Sequence, residues 1–321
     1  MKVENKKMKL EITKFAETKF PNVYTYQKNS LANCHAKGLY SIVLKKFEDG
    51  KLLRMFYASK EHDLWKNNYK EVGPRTQSLG LAIHSHHCDI QILGIFGRMV
   101  NIRCVVDNKK KYKKQHALKT YKYTSSILNG KKNAKFVAVG QENIKIKTVE
   151  NINKGTAVHM NANELHTVYV EKGQEAAWLI LEGIEDENYD SLCYSDDDLT
   201  KFQFEEYYKP IDVTKVAQIL SKVRLLPEVN TCAEKVHYDE IFCYSSRSYN
   251  CMTIAFGKKS ETHQKTLKHR IDGPAELYEP SSFLSKFRLP KYYIEGQEFN
   301  EKEYWYHPKV IEAKLNKILE I

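Results

Sequence analysis

The sequence predicts a mainly β fold followed by a smaller α+β part, and three observations predict it. Between residues 21 and 183, about ten short apolar runs alternate with turn residues, a pattern typical of closed or sandwiched antiparallel sheets. Around residues 213–223, apolar residues then recur at helical spacing. The rest of the chain returns to strand-length runs before a last helical pattern.

The strands are predicted from apolar runs bounded by turn residues. Residues 1–20 form a polar lead-in. The first runs are GLYSIVLKKF, KLLRMFYAS, LGLAIHSHHCDIQILGIFG and RMVNIRCVV, and the later ones are AKFVAVG, ENIKIKTVE, TAVHM, LHTVYVEKG and AAWLILEG. Asp49-Gly50 is a hairpin signal between the first two runs. Gly97 is expected to end the third run in a turn.

A change of pattern after Gly183 predicts the domain boundaries. The run VTKVAQILSKVRLL has a helical stripe, and Pro227 ends it. The runs EIFCYS, YNCMTIAFG, AELYEP and KYYIEG predict strands, and KEYWYHPKVIEAKLNKILEI predicts a C-terminal helix. The expected parts are a lead-in at 1–20, a β-barrel domain at 21–206, a linking helix at 207–227 and an α+β accessory domain at 228–321.

The charge of the chain is concentrated in two segments. The 321 residues include 51 Lys and Arg and 40 Asp and Glu, a net charge of +11 that alone suggests a nucleic-acid partner. Residues 98–157 hold 15 basic and 3 acidic residues, a net charge of +12, whereas residues 182–206 hold ten acidic residues and one lysine, a net charge of −9. Because the excess is local, nucleic acid is not the favoured partner.

The basic segment contains the candidate ligand-binding lysines. These are Lys109, Lys110, Lys111, Lys113 and Lys114. They could bind the phosphates of a nucleotide. A solvated surface loop would have the same composition.

Hydropathy and cysteine content predict the compartment. No window approaches the roughly 20 apolar residues of a membrane span, and the start MKVENKKMKLEITKF lacks the apolar run of a signal peptide. The seven cysteines form no CxxC pair, which indicates reduced thiols rather than disulfides or a Cys-rich zinc site. We therefore expect a soluble, cytoplasmic protein with no membrane partner.

Two histidines in the third run are candidate metal ligands. In a strand, His84 and His86 point to the same face, and Gln91 follows five residues later. Two imidazoles on one face provide half of a transition-metal site. Hydrogen-bonded histidines without a metal would give the same pattern, and His87 and His159 are assigned to that ordinary class.

A second histidine motif lies further along the chain. Gly155 is followed by five residues, Asn161, Ala162, Asn163, two residues and His166. Together the two motifs resemble those of the cupin superfamily, in which HxH is followed by Glu and then Gly, and a later Gly, Pro, Gly, His series completes the set. Here Gln91 replaces the Glu, and Asn161 and Asn163 replace the Pro and the second Gly.

The cupin resemblance, which covers about residues 70–183, implies a fold and a cofactor. The implied fold is a double-stranded β-helix barrel. The implied cofactor is one divalent transition metal, Fe, Zn, Ni or Cu, held by His84, His86 and His166, with Gln91 as a weak fourth ligand or a group behind the ligands. The three-histidine set is similar to that of cupin thiol dioxygenases, and cupin-like proteins often form homodimers through sheet edges.

A C-terminal segment carries a second resemblance. Residues 272–275, Asp-Gly-Pro-Ala, with Tyr293, Gly296, Trp305 and Pro308, resemble a segment of tailed-phage hypothetical proteins. This implies a phage or mobile-element origin and a location in the host cytoplasm. It implies no chemistry, and the aromatic residues are expected to pack a small core.

Three functional hypotheses follow. The first is a phage-type metallocupin acting on a small molecule or nucleotide-like ligand, as an oxidoreductase, which could be dioxygenase-like, or an isomerase. The second is a barrel that binds or sequesters a nucleotide without turnover. The third is an interaction protein that binds a host complex. Fold alone does not choose among them, since one fold supports many activities.

Overall fold

The computed structural model describes most of the chain as two compact units. The described residues are 10–20, 23, 26, 30–65, 82–107, 117–123, 136–184, 191–201, 207–226, 242–248, 251–259, 266–268, 276–278 and 290–319. The first unit comprises residues 1–17 and 26–211, and the second comprises residues 18–25 and 212–321.

The first unit is built from antiparallel strands. They are β1 Leu31–Ala32, β2 Leu39–Lys46, β3 Leu52–Ala58, β4 Ile83–His84, β5 Ile90–Val106, β6 Leu118–Tyr123, β7 Phe136–Glu142, β8 Ile144–Asn153, β9 Ala157–Met160, β10 Leu165–Tyr169, β11 Ala176–Glu182, β12 Ser191–Ser195 and β13 Lys209–Pro210. Hydrogen bonds join them in the order β13-β1-β2-β3-β11-β5-β10-β4-β12-β6-β7, with β8 and β9 also paired to β5.

The sheet has two halves, and strand β5 belongs to both of them. One half contains β1, β2, β3, β9, β11 and β13, and the other contains β4, β6, β7, β8, β10 and β12. The first part of β5, residues 90–97, pairs with β11 and β9, and its second part, residues 98–106, pairs with β8 and β10. The predicted turn at Gly97 is therefore a bend inside one strand. Gly97 has φ +62°, and a Cβ on Gly94 would collide with the backbone carbonyl of Asn153. Glycine thus permits the left-handed conformation at position 97 and the close approach of another backbone at position 94, and the strand continues through both.

One apolar core is shared by both halves of the sheet. Phe56, Ile92 and Trp178 come from one half, and Ile102 and Val168 come from the other, and all five belong to the same buried cluster. Since both halves bury their side chains against this cluster, the sheet folds back on itself around it. The first unit is therefore mainly β, with an antiparallel sheet folded around one core, as the sequence predicted.

The start of the first unit confirms one prediction and refines another. The predicted hairpin joins β2 to β3, with Phe47 N donating to Lys51 O at 2.9 Å and Gly50 at φ +88°. The polar lead-in contains a short 3-10 helix, Glu11–Phe15, and its Ile12 is fully buried.

The second unit is a small α+β assembly. It contains helix α1 Val213–Lys222, strands β14 Phe242–Ser248, β15 Cys251–Lys259, β16 Thr266–Lys268 and β17 Glu276–Tyr278, the hairpin β18 Tyr292–Ile294 and β19 Gln297–Phe299, and helices α2 Glu301–Trp305 and α3 Pro308–Leu319. The predicted helical stripe is confirmed, and the Asp212 side chain accepts from Lys215 N at 3.0 Å at the start of α1. Pro227 lies outside the described residues.

The C-terminal helix differs from its prediction. The structure divides it into α2 and α3, with Tyr306 and His307 between them. Proline is favoured at the first position of a helix because it has no N–H to donate, so Pro308 begins α3. Within the described part of the chain, no helix is both long enough and apolar enough to cross a membrane.

The aromatic residues near the C-terminus pack a small core, as expected. Tyr292, Ile294, Tyr304 and Val310 are buried together, and Trp305 packs against them. Tyr293 lies on β18, and Gly296 has φ +87° in the turn to β19. Residues 272–275 lie outside the described part of the chain.

Candidate metal centre

The three predicted histidines lie together in the first unit. His84 ends β4 and is the direct cross-strand partner of His166 on β10. The ring centroids are 4.8 Å apart for His84 and His86, 4.9 Å for His84 and His166, and 5.0 Å for His86 and His166. Each ring offers one ligand nitrogen, and these nitrogens lie within 4.8 Å of one another.

His86 reaches the cluster from a loop rather than from a strand. The strand β4 is only Ile83–His84, so the two histidines do not share a continuous strand face as the sequence predicted. The loop is held by two hydrogen bonds to one turn residue. His86 N donates to Ala162 O at 2.9 Å, and Ala162 N donates to Asp89 Oδ1 at 2.8 Å.

A backbone carbonyl sets the tautomer of His84. Its Nδ1 lies 2.9 Å from Ala82 O. A carbonyl oxygen can only accept, so Nδ1 carries the hydrogen and Nε2 keeps its lone pair. The structure thereby presents the Nε2 of His84 as a ligand atom.

An asparagine sets the tautomer of His166. Asn101 Nδ2 donates to Glu150 Oε2 at 2.7 Å, and Asn101 Oδ1 lies 2.7 Å from His166 Nδ1. Because a carboxylate can only accept, the amide NH₂ must face Glu150 and the amide oxygen must face the imidazole. His166 Nδ1 is then the donor, and its Nε2 lone pair points away, which is the arrangement that ligand histidines adopt.

Two of the ring nitrogens are hydrogen-bonded to each other. His86 Nε2 and His166 Nε2 are 2.8 Å apart. Because Nδ1 of His166 carries the hydrogen, its Nε2 accepts and His86 Nε2 donates. Three imidazoles grouped in this way are a donor set that transition metals favour.

Burial favours the neutral form of all three histidines. Burial lowers the pKa of His84, and it lowers the pKa of His86 and His166 well below the usual value, with the neighbouring histidines adding to the shift. His166 is only 2% exposed. Neutral imidazole is the form that binds metal, so these side chains need no proton loss at neutral pH.

A chain of hydrogen bonds continues behind His166. Arg103 Nε donates to the same Glu150 Oε2 at 3.0 Å, and its Nη1 lies 2.9 Å from each Glu164 oxygen. Its Nη2 donates to the backbone carbonyl of His159 at 2.6 Å. Two carboxylates thus surround one guanidinium, and the side chain of Asn101 is held between Glu150 and the imidazole.

The histidine cluster forms part of the wall of a cavity of about 200 Å³. Its apolar walls are Leu31, Leu39, Phe56, Val168, Trp178 and Ile180. Its polar lining includes Arg54, Glu182, Tyr208 and three buried cysteines, Cys34, Cys88 and Cys193. Burial raises the pKa of the thiols of Cys34 and Cys193 to about 12, so both stay protonated at neutral pH.

A tyrosine and a fourth histidine lie at the same wall. Tyr208 Oη and His35 Nδ1 are 2.9 Å apart, and the His35 ring stacks 6.2 Å from His84. Both have left-handed backbones, with φ +52° at Tyr208 and +68° at His35. Such conformations are rare outside glycine and cluster at functional sites. Burial raises the pKa of Tyr208 well above its usual value, so the phenol keeps its proton.

Gln91, predicted as a weak fourth ligand or a group behind the ligands, makes its described side-chain hydrogen bond away from the histidines. Its Oε1 accepts from Ile12 N at 2.9 Å, and Gln91 is not part of the cavity lining. The reason is strand alternation: the adjacent Ile90 and Ile92 point into the core, so Gln91 points to the other side.

The remaining candidates lie apart from the cluster or outside the described residues. The lysines Lys109, Lys110, Lys111, Lys113 and Lys114 are outside the described part of the chain. His159 lies on β9, with its Nε2 3.8 Å from Asp89 Oδ2, and is not a member of the metal-ligand group. His87 lines the cavity without joining that group.

Four residues near the site were not identified from the sequence. Asn101 interrupts the run RMVNIRCVV and Arg54 interrupts KLLRMFYAS, so a polar residue inside an apolar strand was an available signal. His35 and Tyr208 lie in irregular segments, where no periodic pattern marks them.

Comparison with known proteins adds no family assignment. No family model matches the chain, and no curated protein matches it. Among solved structures, it is similar to hydroxypropylphosphonic acid epoxidase from S. wedmorenis, with 9% identity over 48% of this chain and 54% of that chain and a TM-score of 0.26. The chain spans about half the length of the epoxidase structures it matches.

Two further solved structures are similar at the same level. Hydroquinone 1,2-dioxygenase from Sphingomonas sp. TTNP3 shows 13% identity over 53% of this chain and 73% of that chain, with a TM-score of 0.24. The polyketide cyclase RemF from Streptomyces resistomycificus shows 12% identity over 57% of this chain and 85% of that chain, with a TM-score of 0.26. The assignment of the three histidines rests on the side chains of this chain.

Proposed function

We propose that the first unit binds one divalent transition metal and acts on a small organic ligand in the adjoining cavity. The metal ligands would be His84, His86 and His166, and the reaction would be an oxidoreductase or isomerase reaction. One observation carries the proposal. Three imidazoles lie together at the wall of a cavity, two of them with Nδ1 hydrogen-bonded so that Nε2 is presented as a ligand atom.

The donor set selects the kind of metal. Three neutral nitrogens suit Fe(II), Zn, Ni or Cu, whereas Mg and Ca prefer oxygen ligands. Bound here, such an ion would supply Lewis acidity and coordination positions left open by the protein.

The other cavity residues would bind the ligand and hold a proton. The apolar walls, which include Phe56 and Trp178, exclude water from the site. The protonated phenol of Tyr208 is hydrogen-bonded to His35 beside the cluster. Tyr208 would therefore hold a proton at the cavity wall. The charged groups of Arg54 and Glu182 would orient the ligand.

Metal content tests the proposal directly. The purified protein is loaded anaerobically with Fe(II), Zn(II) or Ni(II), desalted and measured by elemental analysis. We expect about one ion per chain, and a loss of most of it in His84→Ala and His166→Ala. The matched control His159→Ala removes a histidine outside the cluster and should keep the full content.

Two results would contradict the proposal. One is metal content well below one ion per chain for every metal offered. The other is equal metal content in the native chain and in a folded His166→Ala variant, with folding checked by circular dichroism.

A further inference from the structure

We propose that the cavity binds a small organic anion, of which a carboxylate is the simplest, through the guanidinium of Arg54. The inference rests on the proposed function for the use of this cavity as the reaction site. It adds the chemical class of the ligand and the residue that recognises it.

Arg54 is a buried cation with unused hydrogen-bonding capacity. It lies on β3, is 5% exposed and lines the cavity. Its Nη1 is 3.3 Å from Ser41 Oγ and its Nη2 is 3.4 Å from Glu182 Oε2, both longer than the usual 2.7–3.2 Å. Its Nε has no hydrogen-bond partner among the residues that the structure describes.

A poorly satisfied guanidinium in a cavity indicates a missing partner. Burying a charged donor without a good acceptor is costly, so native proteins rarely retain one without a use. A carboxylate of a ligand can accept two parallel hydrogen bonds from a guanidinium. Such a ligand would supply the acceptors that Ser41 and Glu182 supply only at long distance.

The apolar wall next to Arg54 defines the rest of the ligand. The Arg54 guanidinium lies 5.8 Å from the centroid of the Phe56 ring, which stacks on Trp178 at 5.8 Å. The cavity of about 200 Å³ is smaller than the roughly 300–1,000 Å³ of sites for drug-sized molecules. The ligand class is thus a small molecule with an apolar body and one anionic group.

Calorimetry with matched probes tests the inference. Butyrate is compared with butyramide, and benzoate with benzamide, on both metal-stripped and Zn-loaded full-length protein. We expect each acid to bind at least about tenfold more tightly than its amide in both forms, because a charge-assisted pair with Arg54 is worth more than about 1.4 kcal/mol.

Two variants identify Arg54 as the cause. Arg54→Met should abolish the preference for the acid while keeping the metal content of the native chain. Glu182→Gln should strengthen acid binding severalfold, since it removes the carboxylate that competes for the guanidinium. Where Arg54→Met fails to fold, Arg54→Gln serves instead, because it keeps a hydrogen-bond donor but loses the charge and should lose most of the preference for the acid.

The outcomes separate this inference from the proposed function. A preference for the acid that survives in folded Arg54→Met overturns the inference, since the anion would then be bound by other groups. Equal or undetectable binding of acid and amide to the native chain also overturns it. Failure of the proposed metal site would appear in the metal content of the protein. The comparison of acid and amide binding to metal-stripped protein would still test the role of Arg54.

Discussion

Asn101 Oδ1 lies 2.7 Å from Nδ1 of His166, and the rest of the asparagine side chain is held by Glu150. Asn101 is fully buried, so water does not replace either partner. The amide therefore fixes both the orientation of the imidazole and the position of its proton. The hydrogen-bond chain that begins at Arg103 ends at a nitrogen of the proposed metal site.

Replacing Asn101 by leucine should weaken metal binding without removing any ligand. Asn101→Leu has a similar size but leaves His166 Nδ1 and Glu150 without their shared partner. Loss of a group that orients a ligand histidine typically costs about 10–100-fold in metal affinity. The dissociation constant for Zn(II), measured by competition with a chelator, should rise by that factor.

An exposed asparagine on the neighbouring strand is the control. Asn151 lies on β8 and contacts the exposed Arg98 rather than a histidine. Asn151→Leu should leave the Zn(II) dissociation constant unchanged. Equal metal affinity in the native chain and Asn101→Leu would show that Asn101 does not position His166.

The guanidinium of Arg103 should contribute to stability through its shape as well as its charge. Arg103→Lys keeps the charge but cannot contact Glu150, both oxygens of Glu164 and the His159 carbonyl together. We expect the free energy of unfolding in urea to fall by about 1–3 kcal/mol. Arg98→Lys, on the same strand, should change it by less than about 0.5 kcal/mol.

The three-histidine cluster was predictable because its signal is local in two short motifs. The spacing of His84 and His86, and the distance from Gly155 to His166, identified all three side chains that the structure brings together. The alternation of apolar runs and turns likewise predicted the β architecture, because the apolar pattern of each strand lies within its own short stretch of sequence.

The supporting residues were not predicted because their roles depend on distant strands. Asn101 is 65 residues from His166 and 49 from Glu150, so only the fold shows that the three are connected. Gln91 followed the motif spacing, but its strand turns it away from the cavity. A motif gives the order of side chains, whereas the sheet decides which side they face.

The neutral histidines predict a pH dependence for the metal-free protein. Burial lowers the pKa of His86 and His166 below the unfolded value of about 6.5, so below that pH the unfolded chain binds protons that the folded chain does not. Stability is therefore complete above about pH 6.5 and falls as the pH decreases. The slope should reach up to about 1.4 kcal/mol per pH unit for each histidine.

Urea unfolding of chelator-treated protein between pH 7.5 and pH 5.5 measures this slope. His166→Gln removes one buried titrating group and should make the slope shallower. His159→Gln removes a histidine outside the cluster and serves as the reference for the change in slope. A native stability that is constant or rises on acidification over this range would contradict the prediction.

The close approach of β5 to the backbone of Asn153 should require glycine at position 94, and Gly140 on another strand provides the control. A Cβ on Gly94 would collide with the backbone of Asn153, and backbone atoms cannot turn away as a side chain can, so Gly94→Ala should lower the free energy of unfolding by about 1–3 kcal/mol. Gly140 on β7 has open space around it, so Gly140→Ala should change stability by less than about 0.5 kcal/mol or raise it slightly.

The Zn(II) affinity of Gly94→Ala shows whether the substitution strains only the backbone around residue 94 or also displaces the metal site. The strand that carries Gly94 pairs with β11 along its first part and places Asn101 behind His166 along its second part. A shift of that second part would move the asparagine away from the imidazole, so Gly94→Ala should also weaken Zn(II) binding, whereas Gly140→Ala should not. Unchanged stability and affinity in Gly94→Ala would mean that the backbone of Asn153 can move aside for a side chain at position 94.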